Sequence, residues 1–147
     1  MFRKILYPTD FSGVSKIAIE YLRQLKESGV EEILVLHVID ERDLQYGYLY
    51  VFDEYGVEKD LKQKLKDEAT NKLAEIKDKL EGCGFKITSK IEIGIPLKEI
   101  LNAEQKEDIS MIIIGSHGKS NVEEMLLGSV SEKVVRKCKK PVLVVKR

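Results

Sequence analysis

Two spacings of apolar residues take turns along this chain, near-continuous runs and steps of three and four. Residues 3–7 (RKILY) are strand-like and stop at Pro8, where the loop PTDFSG begins. Val14, Ile17, Ala18, Tyr21, Leu22 and Leu25 then mark one helix face, with Ser12 as N-cap and Gly29 as C-cap. Residues 33–39 (ILVLHVI) are almost wholly apolar, as in a parallel strand covered on both faces. Residues 40–57 have no clean period and hold the aromatics Tyr46, Tyr48, Tyr50, Phe52 and Tyr55, so they read as an insertion or flap. Leu61, Leu65, Ala69, Leu73, Ile76 and Leu80 predict a long helix, supported by acid–base pairs four apart such as Glu68–Lys72 and ended by Gly82-Cys83-Gly84.

Residues 85–93 (FKITSKIEI) alternate like a half-exposed strand. A short helix over 97–106, a buried strand over 109–114 (ISMIII), a helix over 130–139 and a strand over 142–146 (VLVVK) complete the pattern. The order β-α-β-α-β-α-β-α-β predicts one α/β domain over residues 1–147, with a doubly wound parallel sheet and helices on both faces.

Composition narrows the function classes. Lys plus Arg and Asp plus Glu both number 25, so the formal net charge is zero and the basic footprint of a nucleic-acid binder is missing. Charged residues make up 34% of the chain with few Asn and Gln, a surface that fits a thermophile. Cys83 and Cys138 lack metal-site spacing and read as reduced thiols. MFRKILYPTD has no long apolar signal-peptide core, and no apolar run approaches a membrane span of roughly 20 residues. These features predict a soluble, cytoplasmic protein with no membrane association.

In an open α/β sheet, ligands bind beyond the carboxyl ends of the strands where the strand order reverses. The loop after the fourth strand, GSHGKSNVEEMLLGSVSEK, spaces Gly115, Gly118 and Gly128-Ser129 ahead of the last helix. Glycine amides and a helix N-terminus together can cradle phosphate. The same residues also have plain structural readings: Gly115 and Gly128 as turn residues, Ser129-Val130-Ser131-Glu132 and Ser120-Asn121-Val122-Glu123 as capping boxes. Two residues between Gly115 and Gly118 are too few for a Walker loop, and no dinucleotide GxGxxG occurs. Asp10 either caps the first helix or accepts hydrogen bonds from a ligand. His117 reads first as bonded within its own loop, with ligand approach as the alternative. His37, inside an apolar strand, reads as a satisfied core histidine.

Taken together, YPTDFS at 7–12, LHVID at 36–40, GIP at 94–96, GSHGK at 115–119, LLGSVSEKV at 126–134 and PVLVVKR at 141–147 resemble the universal stress protein family from end to end, with 41–57 as the variable stretch. The spacing G-x2-G-x9-G-S resembles that of the family's ATP-binding branch. The resemblance implies five parallel strands in the order 3-2-1-4-5. It implies an ATP site in which Pro8, Thr9 and Val38 line the adenine side and Asp10 and Gly115 lie near adenine or ribose. Gly118, Gly128, Ser129, Val130 and Ser131 would hold the phosphates largely through backbone N–H, with His117 in the same loop. Mg²⁺ would ride on the phosphates rather than in a protein cage.

A nucleotide-dependent regulatory or stress-response module fits these residues better than a dedicated enzyme. The site motifs offer no obvious general base and no arginine finger, which leaves a slow Mg-dependent ATPase as the alternative. A phospho-receiver needs acids at several strand ends, and the third strand ends in Ile93-Gly94. A flavodoxin-like reading fails for want of a Ser/Thr-rich phosphate loop after the first strand. In the implied order 142–146 lies at the sheet edge, all but its tip apolar, so a homodimer through that strand is expected, the alternative being a monomer shielded by 41–57. The sequence names no downstream protein partner.

Overall fold

The computed structural model describes residues 2–50, 57–117 and 127–147. In order the elements are β1 (Lys4–Pro8), α1 (Gly13–Gln24), a 3-10 turn (Leu25–Glu27), β2 (Glu32–Asp40), α2 (Glu41–Tyr50), α3 (Val57–Leu80), β3 (Lys86–Gly94), α4 (Pro96–Lys106), β4 (Met111–Gly115), α5 (Ser129–Lys137) and β5 (Val142–Val145). All strand pairs are parallel and the sheet runs β3-β2-β1-β4-β5.

Alternate strand residues face opposite ways, and each face has its own core. Ile5 and Tyr7 of β1, Ile33 and Val35 of β2 and Ile113 of β4 pack with Ala18, Ile19 and Leu22 of α1 and Leu73, Ile76 and Leu80 of α3. Leu6, Leu34, Leu36, Ile112 and Ile114 pack on the other face with Ile100 and Ala103 of α4 and Val134 of α5. The unbroken apolar runs in the sequence are this two-sided burial.

Most boundaries fall within a residue or two of the pattern in the sequence. Ser12 is the N-cap of α1, its Oγ accepting from Ser15 N at 3.3 Å. Helix α1 gives way to the 3-10 turn, and Gly29, at φ 88°, makes the left-handed exit. Two readings change. The segment after β2 is no shapeless flap at its start: Glu41–Tyr50 is helical and touches both α3 and β2. Asp40 starts it by accepting from Arg42 N at 3.0 Å, and Glu41 and Asp43 suit the positive end of the helix dipole. Residues 51–56, the rest of that segment, lie outside the described residues. The last helix ends at Lys137, which leaves Cys138 as its C-cap, half-buried against the α4–α5 core.

Glu104 is an acid inside this fold, only 4% exposed. One of its oxygens, Oε1, accepts from Lys139 N at 2.6 Å and from Lys140 N at 2.7 Å, fastening α4 to the turn that leads into β5. Glu104→Ala strands both amides. Thermal unfolding is expected to show a loss of about 3 kcal/mol, roughly 6–12 °C in Tm. Glu104→Gln keeps an acceptor oxygen and should lose far less, and an unchanged Tm in the alanine variant would refute this role.

Candidate functional site

Strand order reverses between β1 and β4, and the loops that follow them border one cavity of about 330 Å³. Ten of the eleven residues singled out in the sequence line it: Pro8, Thr9 and Asp10 after β1, Val38 in β2, and Gly115, His117, Gly128, Ser129, Val130 and Ser131 around the β4–α5 connection. The eleventh, Gly118, lies outside the described residues, as does the box at 120–123.

The β1–α1 loop is tightly bonded. Thr9 N donates to Leu36 O at 2.9 Å, continuing the ladder past the end of β1. Thr9 O lies 2.8 Å from His37 Nδ1, which must be the donor because a carbonyl only accepts. His37 is 9% exposed and its ring stacks on Phe11 with centroids 4.3 Å apart, so it is a satisfied histidine that also forms cavity wall. Asp10 Oδ1 accepts from Ser12 N at 3.0 Å, so this carboxylate orders the helix start while bordering the cavity.

The β4–α5 side corrects three structural readings. Gly115 is no turn residue. It ends β4, and a Cβ there would stand 3.2 Å from Val14 Cγ1 and 3.3 Å from Ser15 N, so glycine lets α1 pack close. Ser129 does not cap α5. Gly128 holds the N-cap position, with φ −71° and ψ 164°, no side chain among the described residues caps the helix, and its first residues, Ser129, Val130 and Ser131, line the cavity. Ser131 is 4% exposed and its hydroxyl donates to Gly115 O at 2.6 Å, so it pins α5 to β4. Gly128 N donates to Ser116 O at 2.6 Å, and Ser116 Oγ lies 2.8 Å from His117 Nδ1, the in-loop bond read for that histidine.

One wall was not legible. Leu65, Glu68, Ala69 and Lys72 of α3 line the cavity, together with Asp43 near the start of α2. Length was the available signal: the 24 residues of α3 make about 36 Å of helix, while the nine of β3 make about 30 Å of strand, so α3 overhangs the sheet's carboxyl edge. Lys72 Nζ stands 5.2 Å from the centre of the Phe11 ring, a cation–π contact across the cavity rim.

A profile of the universal stress protein family matches residues 1–146. The chain belongs to that family. Universal stress protein MJ0577 of Methanocaldococcus jannaschii is 46% identical over 156 aligned positions, covering all of this chain and 96% of that one. A solved structure of MJ0577 superposes with a TM-score of 0.90 at 48% identity over 100% and 97% of the two chains. Two more distant members share the fold at 19% identity. One, from Arabidopsis thaliana with AMP bound, has a TM-score of 0.69 over 99% and 92% of the chains. The other, in complex with cAMP, has a TM-score of 0.66 over 99% and 97%.

In this family member Asp40 is held by its near neighbour. Arg42 Nη2 lies 2.6 Å from Asp40 Oδ2, and this hydrogen bond is the main reason the carboxyl titrates below its ordinary value. A depressed native value means the stabilisation is present above the ordinary carboxylate range and is lost as pH falls through the native value. An NMR titration of Arg42→Ala should show the Asp40 carboxyl moving back up, and an unmoved titration would refute the pairing.

Proposed function

We propose that this universal stress protein binds ATP in the cavity at the strand reversal and acts in the cytoplasm as a nucleotide-dependent regulatory module. The observation that carries the reading is the meeting of ten anticipated residues around one ligand-sized space, with the N-terminus of α5, which no described side chain caps, on its wall. AMP and cAMP in the two distant relatives support a nucleotide as the ligand class. Pro8, Thr9, Asp10 and Val38 take the base and ribose side. Gly118, Ser129, Val130 and Ser131 take the phosphates largely through backbone N–H, Gly128, whose own N–H is bonded to Ser116 O, allows their close approach, and His117 lies beside them.

Charge supports a metal companion. The described lining residues include four carboxylates, Asp10, Asp40, Asp43 and Glu68, against one full cation, Lys72, with Asp40 also paired to Arg42 outside the lining. A triphosphate entering that field needs its charge screened, so ATP enters with Mg²⁺ carried on its phosphates. Among the described residues, no group of three or more His, Cys, Asp or Glu is placed to cage an ion. The lining also includes no arginine among the described residues, so turnover, if any, runs well below the roughly 1–100 s⁻¹ of kinases.

Melting of nucleotide-free protein with and without Mg·ATP tests the reading. Ligand at about 1,000 times its Kd should add roughly 4 kcal/mol, and no shift at millimolar ATP would sink it. Gly128→Ala sharpens the test. The φ of −71° suits any residue, so this variant should fold and melt like the parent while binding ATP at least about tenfold more weakly, because the added methyl occupies the phosphate approach. Unchanged affinity would remove Gly128 from the site.

The same proposal includes a homodimer through the last strand, read as 142–146 and observed as Val142–Val145. β5 is an edge strand with Leu143 37% exposed, whereas the opposite edge, β3, carries Lys86, Lys90 and Glu92. Helix α2 contacts β2 and α3, on the far side of β1 from this edge, so the described part of 41–57 does not shield it. Light scattering should give twice the 16.8 kDa chain mass, and Val144→Pro should halve it. A monomeric parent, or a variant that stays dimeric, would overturn the contact.

A further inference from the structure

Among the described residues two non-glycines hold positive φ, Phe11 at 64° and Asp108 at 53°. Aspartate enters that region readily, but a bulky aromatic there is an outlier that its surroundings must enforce. Phe11 forms cavity wall, and three contacts hold it: its N–H donates to Thr9 Oγ1 at 3.0 Å, one ring face stacks on His37, and Lys72 stands over the ring.

Behind Thr9 lies a row of buried hydroxyls. Thr9 Oγ1 is hydrogen-bonded to Ser15 Oγ, Ser15 Oγ lies 2.9 Å from Tyr7 Oη, and Tyr7 Oη donates to Ser15 O. Each hydroxyl has one proton, which fixes the direction. Tyr7 spends its proton on the carbonyl, so Ser15 must donate to Tyr7. Ser15 is then spent, so Thr9 must donate to Ser15. Thr9 is left with only lone pairs for Phe11, and a lone pair is what the Phe11 N–H requires. Tyr7 is fully buried, and burial pushes its phenol above the ordinary value, which keeps the first proton in place.

We propose that Tyr7, which does not line the cavity, is a positioning residue for ligand binding: its hydroxyl holds Ser15 Oγ beside Thr9, Ser15 fixes the Thr9 side chain, and Thr9 so holds Phe11 left-handed at the cavity wall. Without the phenol oxygen Ser15 loses its acceptor and turns to a nearby backbone carbonyl, as serines in a first helical turn do. With Ser15 turned away, Thr9 loses the acceptor for its own proton, its side chain is freed from the rotamer that places Oγ1 against the Phe11 N–H, and the strained residue relaxes. The binding consequence rests on the nucleotide reading of the cavity; the conformational consequence does not.

The test is Tyr7→Phe in the full chain. Its ligand-free crystal structure should show Phe11 out of the left-handed region, and Mg·ATP titration should show affinity reduced about tenfold, the scale of one buried hydrogen bond. Thr9→Val breaks the row downstream, so the double variant should bind no more weakly than Thr9→Val alone. A lower Tm with Phe11 still near 64° and unchanged affinity overturns the proposal, because Tyr7 would then only pack the core. Additive losses in the double variant overturn it as well. If Tyr7→Phe does not fold, Ser15→Ala cuts the same row with the phenol in place and carries the same expectations. If the parent itself fails to bind ATP, the nucleotide reading falls alone, and the Phe11 conformation decides this one.

Discussion

A parallel sheet must be covered on both faces, because every crossover returns a helix to one face or the other. Here that constraint sorts β1, β2 and β4 into two cores, one closed by α1 and α3 and the other by α4 and α5. The chain switches faces where strand order reverses, and there the β1 and β4 loops part instead of packing together. The cavity is therefore a by-product of topology. What the sequence adds is its lining: glycine at the end of β4, a helix that starts from a glycine N-cap, and a first loop locked by its own hydroxyls.

Elements buried on two sides were the most legible, since ILVLHVI and ISMIII leave few alternatives to covered strands. Helix α2 was not, because Gly47 and clustered tyrosines blur its period. The floor of the site could be read because its residues are close in sequence to strand ends. The α3 wall could not, because its residues reach the cavity through helix length and packing angle, which apolar spacing does not encode. Roles were less legible than positions. Ser129 looked like a cap and is not one, while Ser131 spends its hydroxyl on Gly115 O inside the protein.

The strain at Phe11 and the tight approach at Gly115 belong together. Ser15 meets both, through its hydroxyl toward Thr9 and through its backbone N beside Gly115. The start of α1 is therefore a joint between the two loops that border the cavity, and a change in either loop is felt by the same turn of helix.

Glu104 has a consequence for assembly. By fixing the amides of Lys139 and Lys140 it sets where β5 leaves its turn, two residues before the first strand position. An edge strand whose origin is anchored from the interior cannot slide along its own axis. Any strand laid against it meets a ruler with a fixed zero, so the interior carboxylate governs the register, and with it the symmetry, of whatever this edge joins.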